Sequence, residues 1–233
     1  MNSMEMKHLK FVLFLLLISF AAIGVIAQEA KYPPLNEYLM PQDAETALAK
    51  SAAPNNIFGR ATIKVLTPSG FQVVHEGDNG FVCMVMRGSA APTFTPPQIR
   101  DLVYDAKLRA PICFNPQASE TVMPYYELRN KLAIEGKTPD EITQGIQAAY
   151  SKGELPKRDG VSFAYMWSAD QNLGSFGHWH PHMMVFCPYY ENSMLGGNPL
   201  GTPQLPIVSD DGGTPFAVVL IPVDDRLAIE ARP

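Results

Sequence analysis

Thr138-Pro-Asp-Glu141-Ile142-Thr-Gln-Gly-Ile146-Gln-Ala-Ala149-Tyr150-Ser-Lys-Gly153 carries both ends of one helix in its own residues. Thr138 and Glu141 have the spacing of a capping box, in which each side chain accepts from the other residue's backbone N–H. Pro139 sits at the first helical position, where a missing N–H costs nothing. Ile142, Ile146, Ala149 and Tyr150 recur at helical spacing, and Gly153 stops the helix. Working outward, Pro124 opens a second helix that reaches Glu135, with Tyr125, Leu128 and Leu132 on one face and Gly136 beyond its end.

Strand patterns lie on both sides of this helical pair. Ala61–Leu66 alternates, Pro68-Ser-Gly70 turns, and Phe71–Glu76 alternates again. Gly77-Asp-Asn-Gly80 has the composition of a hairpin turn, and Phe81–Met86 follows it, so a three-stranded antiparallel meander is expected. Downstream, Val161–Trp167, His182–Cys187 and the continuous apolar run Phe216–Ile221 read as strands, the last buried on both faces. Strands before and after a pair of helices predict an α+β fold: a single domain with a mostly antiparallel sheet and the helical pair on one face. Residues 88–100 and Glu191–Pro215 are rich in Pro and Gly and read as loops. The second is long enough to be functional or disordered.

The N-terminus has Lys7 and Lys10, then the apolar run Phe11–Ile26, then Val25-Ile-Ala27 with short residues at the cleavage positions. That is the order of a signal peptide. The run falls short of the roughly 20 residues of a membrane span. Residues 1–27 are therefore expected to be cleaved, leaving no stable membrane anchor and a periplasmic or secreted protein. Residues 28–54 read as an extended arm followed by a short helix around Ala44–Ala52 with Asp43 as its cap, and 55–233 as the domain proper. A net charge of −5 without a basic run excludes the usual electrostatics of nucleic-acid binding.

There are three cysteines: Cys83, Cys113 and Cys187. In an oxidising compartment two of them are expected to pair. Cys83 and Cys113 lie in short strand-like segments, and Cys187 reads as a buried thiol, but spacing leaves all three pairings open.

Chemistry-bearing residues concentrate in Gly177-His178-Trp-His180-Pro-His182. On an extended backbone alternate side chains share a face, about 6.6 Å apart per step. His178, His180 and His182 would then form a candidate metal site for zinc, copper or iron, with His75, Glu191 or Asp170 as further ligands. The competing reading is a polar entry to the strand that follows, with Pro181 breaking the ladder. The His-x-His echoes half of a cupin metal motif, but Met183–Val185 stand where its glutamate belongs. Ser168 or Ser162 beside His182 is a further arrangement, and Met166, Met183, Met184 and Met194 are more simply core than copper ligands. Nucleophile-elbow, zinc-protease, Walker, dinucleotide-binding and Cys-x-x-Cys motifs do not occur. Tyr165, Trp167, Trp179, Tyr189 and Tyr190 flank the histidines and are suited to lining a ligand pocket.

Three blocks resemble a family of uncharacterised exported bacterial proteins: Gly80-Phe-Val-Cys83 with Pro111-Ile-Cys113-Phe; Thr138–Tyr150 followed by Gly160–Ser168; and Pro181-His182-Met-Met-Val-Phe-Cys-Pro-Tyr189 with Gly196-Gly197. The resemblance spans about residues 52–221 and brings no activity with it. It implies a Cys83–Cys113 disulfide, worth roughly 3–4 kcal/mol as a loop closure. It also places His182 in the shared pattern more firmly than His178 and His180. The reading that follows is an exported domain of unknown activity that binds a ligand near His182, Ser168, Tyr189 and the 191–215 loop. The alternative is a metal-dependent enzyme or metal-binding protein built on His178, His180 and His182.

Overall fold

A computed structural model describes residues 33–88, 104–158, 160–174, 177–197, 206–208 and 212–232. The expected signal peptide, most of the Pro-rich 88–100 loop and much of 191–215 lie outside these residues. Three short helices come first, α1 (Leu35–Tyr38), α2 (Gln42–Lys50) and α3 (Asn55–Phe58). Strands β1 (Thr62–Thr67), β2 (Gly70–His75), β3 (Val82–Met86) and β4 (Ala110–Phe114) follow. Helices α4 (Pro116–Thr121), α5 (Met123–Ile134) and α6 (Pro139–Lys152) separate these from β5 (Ser162–Met166) and β6 (His182–Phe186). The two-residue β7 (Ile207–Val208) and β8 (Val218–Pro222) complete the sheet.

The fold is α+β, one compact unit from residue 32 onward. Among the described residues the sheet has eight strands in the order β2-β1-β3-β4-β5-β6-β8-β7, antiparallel except at β1–β3. Helix α6 has the capping box and the left-handed Gly153 cap, with Ile142, Ile146 and Ala149 buried. Helix α5 is turned relative to expectation: Tyr125, Tyr126, Arg129, Asn130 and Ala133 are its buried residues, and Leu128 and Leu132 are only partly covered. Helices α5 and α6 pack on one face, against Met84, Ile112, Phe114, Ala164, Phe186 and Val218. Strand alternation sends Ile63, Cys83, Val85 and Cys113 to the other face, where Leu48 and Ala49 of α2 cover them.

The expected meander does not form. Strand β1 pairs antiparallel with β2 but parallel with β3, through Thr62 opposite Val82 and Ile63 opposite Cys83. The reason lies in the unequal faces of the first two strands. β1 buries Ile63, Val65 and Leu66, whereas Gln72 and Val73 of β2 are exposed, so β1 belongs inside and β2 at the edge. The chain leaving β2 must then cross back over the start of β1. Asp78 N donates to Arg60 O and Asn79 Nδ2 to Ile57 O along that path. Gly77 makes the crossing possible: a Cβ there would lie 2.3 Å from the backbone of Arg60 and Ala61. A glycine that reads as hairpin turn is in fact a close approach of two backbones.

Residues 33–54 also belong to the core. Tyr38, Leu48, Ala49, Ala52 and Ala53 are buried. The short helix is Gln42–Lys50 with Pro41 rather than Asp43 at its cap, and the segment read as extended contains α1. Cys83 and Cys113 are directly opposite in the β3–β4 register and form a disulfide, 30 residues apart in sequence. Cys187 is a free, buried thiol whose pKa burial pushes up.

Candidate ligand site

The histidine segment does not keep strand alternation. β6 begins at His182, and Pro181 accepts from Val223 N outside the ladder. His178 is exposed. His180 Nδ1 lies 2.6 Å from Asp225 Oδ1. His182 is 3% exposed, its Nδ1–H donates to His180 O over 2.8 Å, and its ring meets Trp179 edge to face with centroids 4.6 Å apart. The three imidazoles are thus tied to three different surroundings. Among the described residues no group of three His, Cys, Asp or Glu is placed to hold a metal ion.

Burial drives the His182 pKa from 6.5 down to about 4, against the pull of the His180 carbonyl. The folded protein keeps this ring neutral where the unfolded chain would protonate it. The stability this provides is complete above pH 6.5 and is lost as pH falls from 6.5 towards 4, on the order of 3 kcal/mol in all. NMR titration of the ring, together with urea denaturation at several pH values, checks both parts. A ring titrating near 6.5 would contradict them.

Ser168 is fully buried. Its Oγ lies 2.7 Å from Ser51 Oγ and accepts from Asp170 N, so it clips the end of α2 to the chain after β5. No hydrogen bond joins Ser168 to His182 among the described residues. Ser162 is likewise buried. Gln171 Nε2 ties the same region together, donating to Ser168 O and Trp179 O. These groups hold backbone, and neither Ser168 nor His182 lines a described cavity.

Tyr189 does. Its φ of 65° and the bond from its N to Thr214 O turn the chain after β6 outward, leaving the ring exposed. There it borders a cavity of about 740 Å³ between the end of α6, Lys157-Arg158 and the Thr214–Phe216 turn. That volume is ordinary for a small-molecule site. The floor is aromatic: Phe216 stacks on Tyr125 at 4.9 Å, and Tyr150 lies 5.4 Å from Phe216. The Arg158 guanidinium sits over Tyr125 at 4.5 Å and Phe216 at 4.9 Å. On the other side of the cluster, Arg129 lies 5.0 Å from the Tyr125 centroid and donates from Nη1 to its hydroxyl. Burial raises the pKa of the Tyr150 hydroxyl, against the pull of the Arg158 cation.

Charge separates this cavity from two others. One of about 380 Å³ beside α5 is bordered by Glu127, Lys131 and Glu135, whose charges pair locally as Lys64–Glu127 and Lys131–Glu135. One of about 500 Å³ beside α2 has Glu230 against Arg232. The 740 Å³ cavity has Lys157 and Arg158 in its wall and no Asp or Glu among its described lining residues. No family model, curated protein or solved structure matches this chain. The case for the site therefore rests on its own geometry. Sequence patterns point to Tyr189 and to the loop containing Thr214. They do not mark Arg158, Tyr150 or Phe216, whose meeting depends on three distant segments.

Proposed function

We propose that this chain is an exported ligand-binding domain, periplasmic or secreted, whose site is the cavity walled by Tyr150, Arg158, Tyr189 and Phe216. The observation that carries the reading is a small-molecule-sized cavity with an aromatic floor and, among the described residues, two cations but no carboxylate in its wall. Export is supported by the N-terminal pattern and by the Cys83–Cys113 disulfide, which suits an oxidising compartment. No helix among the described residues is long and apolar enough to cross a membrane. This reading keeps Tyr189 and the Thr214 end of the 191–215 segment and takes Arg158 and Tyr150, in place of His182 and Ser168, as the polar groups.

The test is amide NMR of protein recovered from the periplasm or medium, whose first residue also reports where the leader is cut. Titration with a mixture of charged and neutral small molecules is expected to shift the signals of Tyr150, Tyr189 and Thr214. Tyr189→Ala, at an exposed position, should weaken those shifts without unfolding the protein. Shifts confined to another surface, such as the cavity beside Lys50, would overturn the assignment.

A further inference from the structure

Resting on that reading of the cavity, we propose that the ligand carries an oxyanion, a carboxylate or a phosphate monoester, on a planar aromatic body, and that Arg158 anchors the oxyanion. The chain has a net charge of −5, yet among the described residues this wall gathers Lys157 and Arg158 with no acidic lining residue. A cleft of one sign between apolar walls concentrates ligands of the other.

The donor geometry narrows the class. Elsewhere in the molecule arginines use one edge, Nε with Nη2, to grip a carboxylate: Arg60 on Asp78 at 2.8 and 3.1 Å, and Arg226 on Asp224 at 2.9 and 2.5 Å. That fork matches a planar oxyanion. The same two nitrogens of Arg158 are shielded from water and meet no carboxylate among the described residues; the neutral Tyr150 hydroxyl is the neighbour that feels the Arg158 cation. The corresponding nitrogens of Arg129 are likewise shielded. A shielded guanidinium without a counter-ion is costly, and an entering oxyanion would relieve that cost. Binding would require the Arg158 side chain to turn this edge to the ligand, while Arg129, held by the Tyr125 hydroxyl, adds positive charge to the same aromatic cluster. Tyr150, Tyr189 and Phe216 line the cavity with aromatic surface for the body of the ligand.

Four probes test the inference by amide NMR and calorimetry on the whole mature protein: phenylacetate, phenyl phosphate, neutral phenylacetamide and inorganic phosphate. The expected result is that at least one aromatic anion binds about tenfold or more tighter than phenylacetamide, with shifts at Tyr150, Tyr189 and Thr214. Arg158→Gln should remove that preference, and Arg158→Lys should retain part of it. The first two probes decide between a carboxylate and a phosphate monoester. Shifts from inorganic phosphate equal to those from phenyl phosphate would overturn the aromatic body. Phenylacetamide binding as tightly as the anions at these residues would overturn the oxyanion and leave the site standing. Anion binding with shifts elsewhere, or no shifts from any probe at millimolar concentration, would overturn both. The wild-type comparison decides even if Arg158→Gln does not fold.

Discussion

Replacing Glu45 by alanine is expected to destabilise the protein by about 3–5 kcal/mol. Glu45 on α2 and Arg87 just after β3 are both fully buried, with Oε2 and Nη2 2.6 Å apart. Each is also committed to backbone. Glu45 Oε1 accepts from Leu66 N, and Arg87 donates to the carbonyls of Tyr38 and Val85. Burial alone pulls the Arg87 pKa down, and Glu45 is what pulls it back. Without Glu45 a guanidinium is left in the interior with no counter-ion, and the β1 backbone loses an acceptor. Urea denaturation should show the midpoint falling sharply. The paired substitution Glu45→Met with Arg87→Met removes both charges and is expected to recover much of the loss, because an apolar pair of similar volume avoids the desolvation cost. The exposed Arg60–Asp78 pair is the control: Asp78→Ala should change little, since water screens both groups. A Glu45→Ala variant as stable as the wild type would show that the pair does not hold α2 to the sheet.

The second large effect is expected at the disulfide. Replacing Cys83 and Cys113 together by alanine should cost about 2–5 kcal/mol. The bond lies between the interior strands β3 and β4 and is sealed under α2, with both residues 0% exposed. A reductant cannot reach it in the folded protein, so wild-type stability under mild reduction should stay near the oxidised value until the sheet opens. Peptide mapping without reduction should link the Cys83 and Cys113 peptides and find Cys187 as a thiol, alkylated only after unfolding. A linked Cys187 peptide, or an unchanged urea midpoint in the double variant, would contradict this.

Features encoded by neighbouring residues were the legible ones. Helix α6 carries its start, its face and its stop within its own residues, and Thr138, Glu141 and Gly153 act in place as their spacing implies. Apart from the two-residue β7, which falls inside the segment read as loop, the strands were equally readable because alternation is a local property. Strand order was not. Gly77-Asp-Asn-Gly80 has the same composition whether the chain doubles back beside β2 or crosses to the far side of β1. The choice depends on which strand has two faces to bury. His178, His180 and His182 are not brought together, for a related reason: alternation needs a regular strand, and the ladder begins only at His182. Tyr189 could be singled out as an aromatic in a Pro- and Gly-rich setting. Arg158 could not, since its surroundings come from α5, β6 and the turn before β8.

The order β2-β1-β3-β4-β5-β6-β8-β7 bears on how the chain reaches this structure. Most strands lie beside a neighbour in sequence, and the departures are exchanges of adjacent strands at the two ends of the sheet. Most pairings therefore join strands close in sequence, which favours folding by successive pairing over a search for distant partners. The costly step is β4 to β5, where the loop containing α4, α5 and α6 must close before Cys113 can meet Tyr165. Because α6 has strong local signals, it can form before that closure and shorten the search, so weakening its cap should slow folding more than it speeds unfolding.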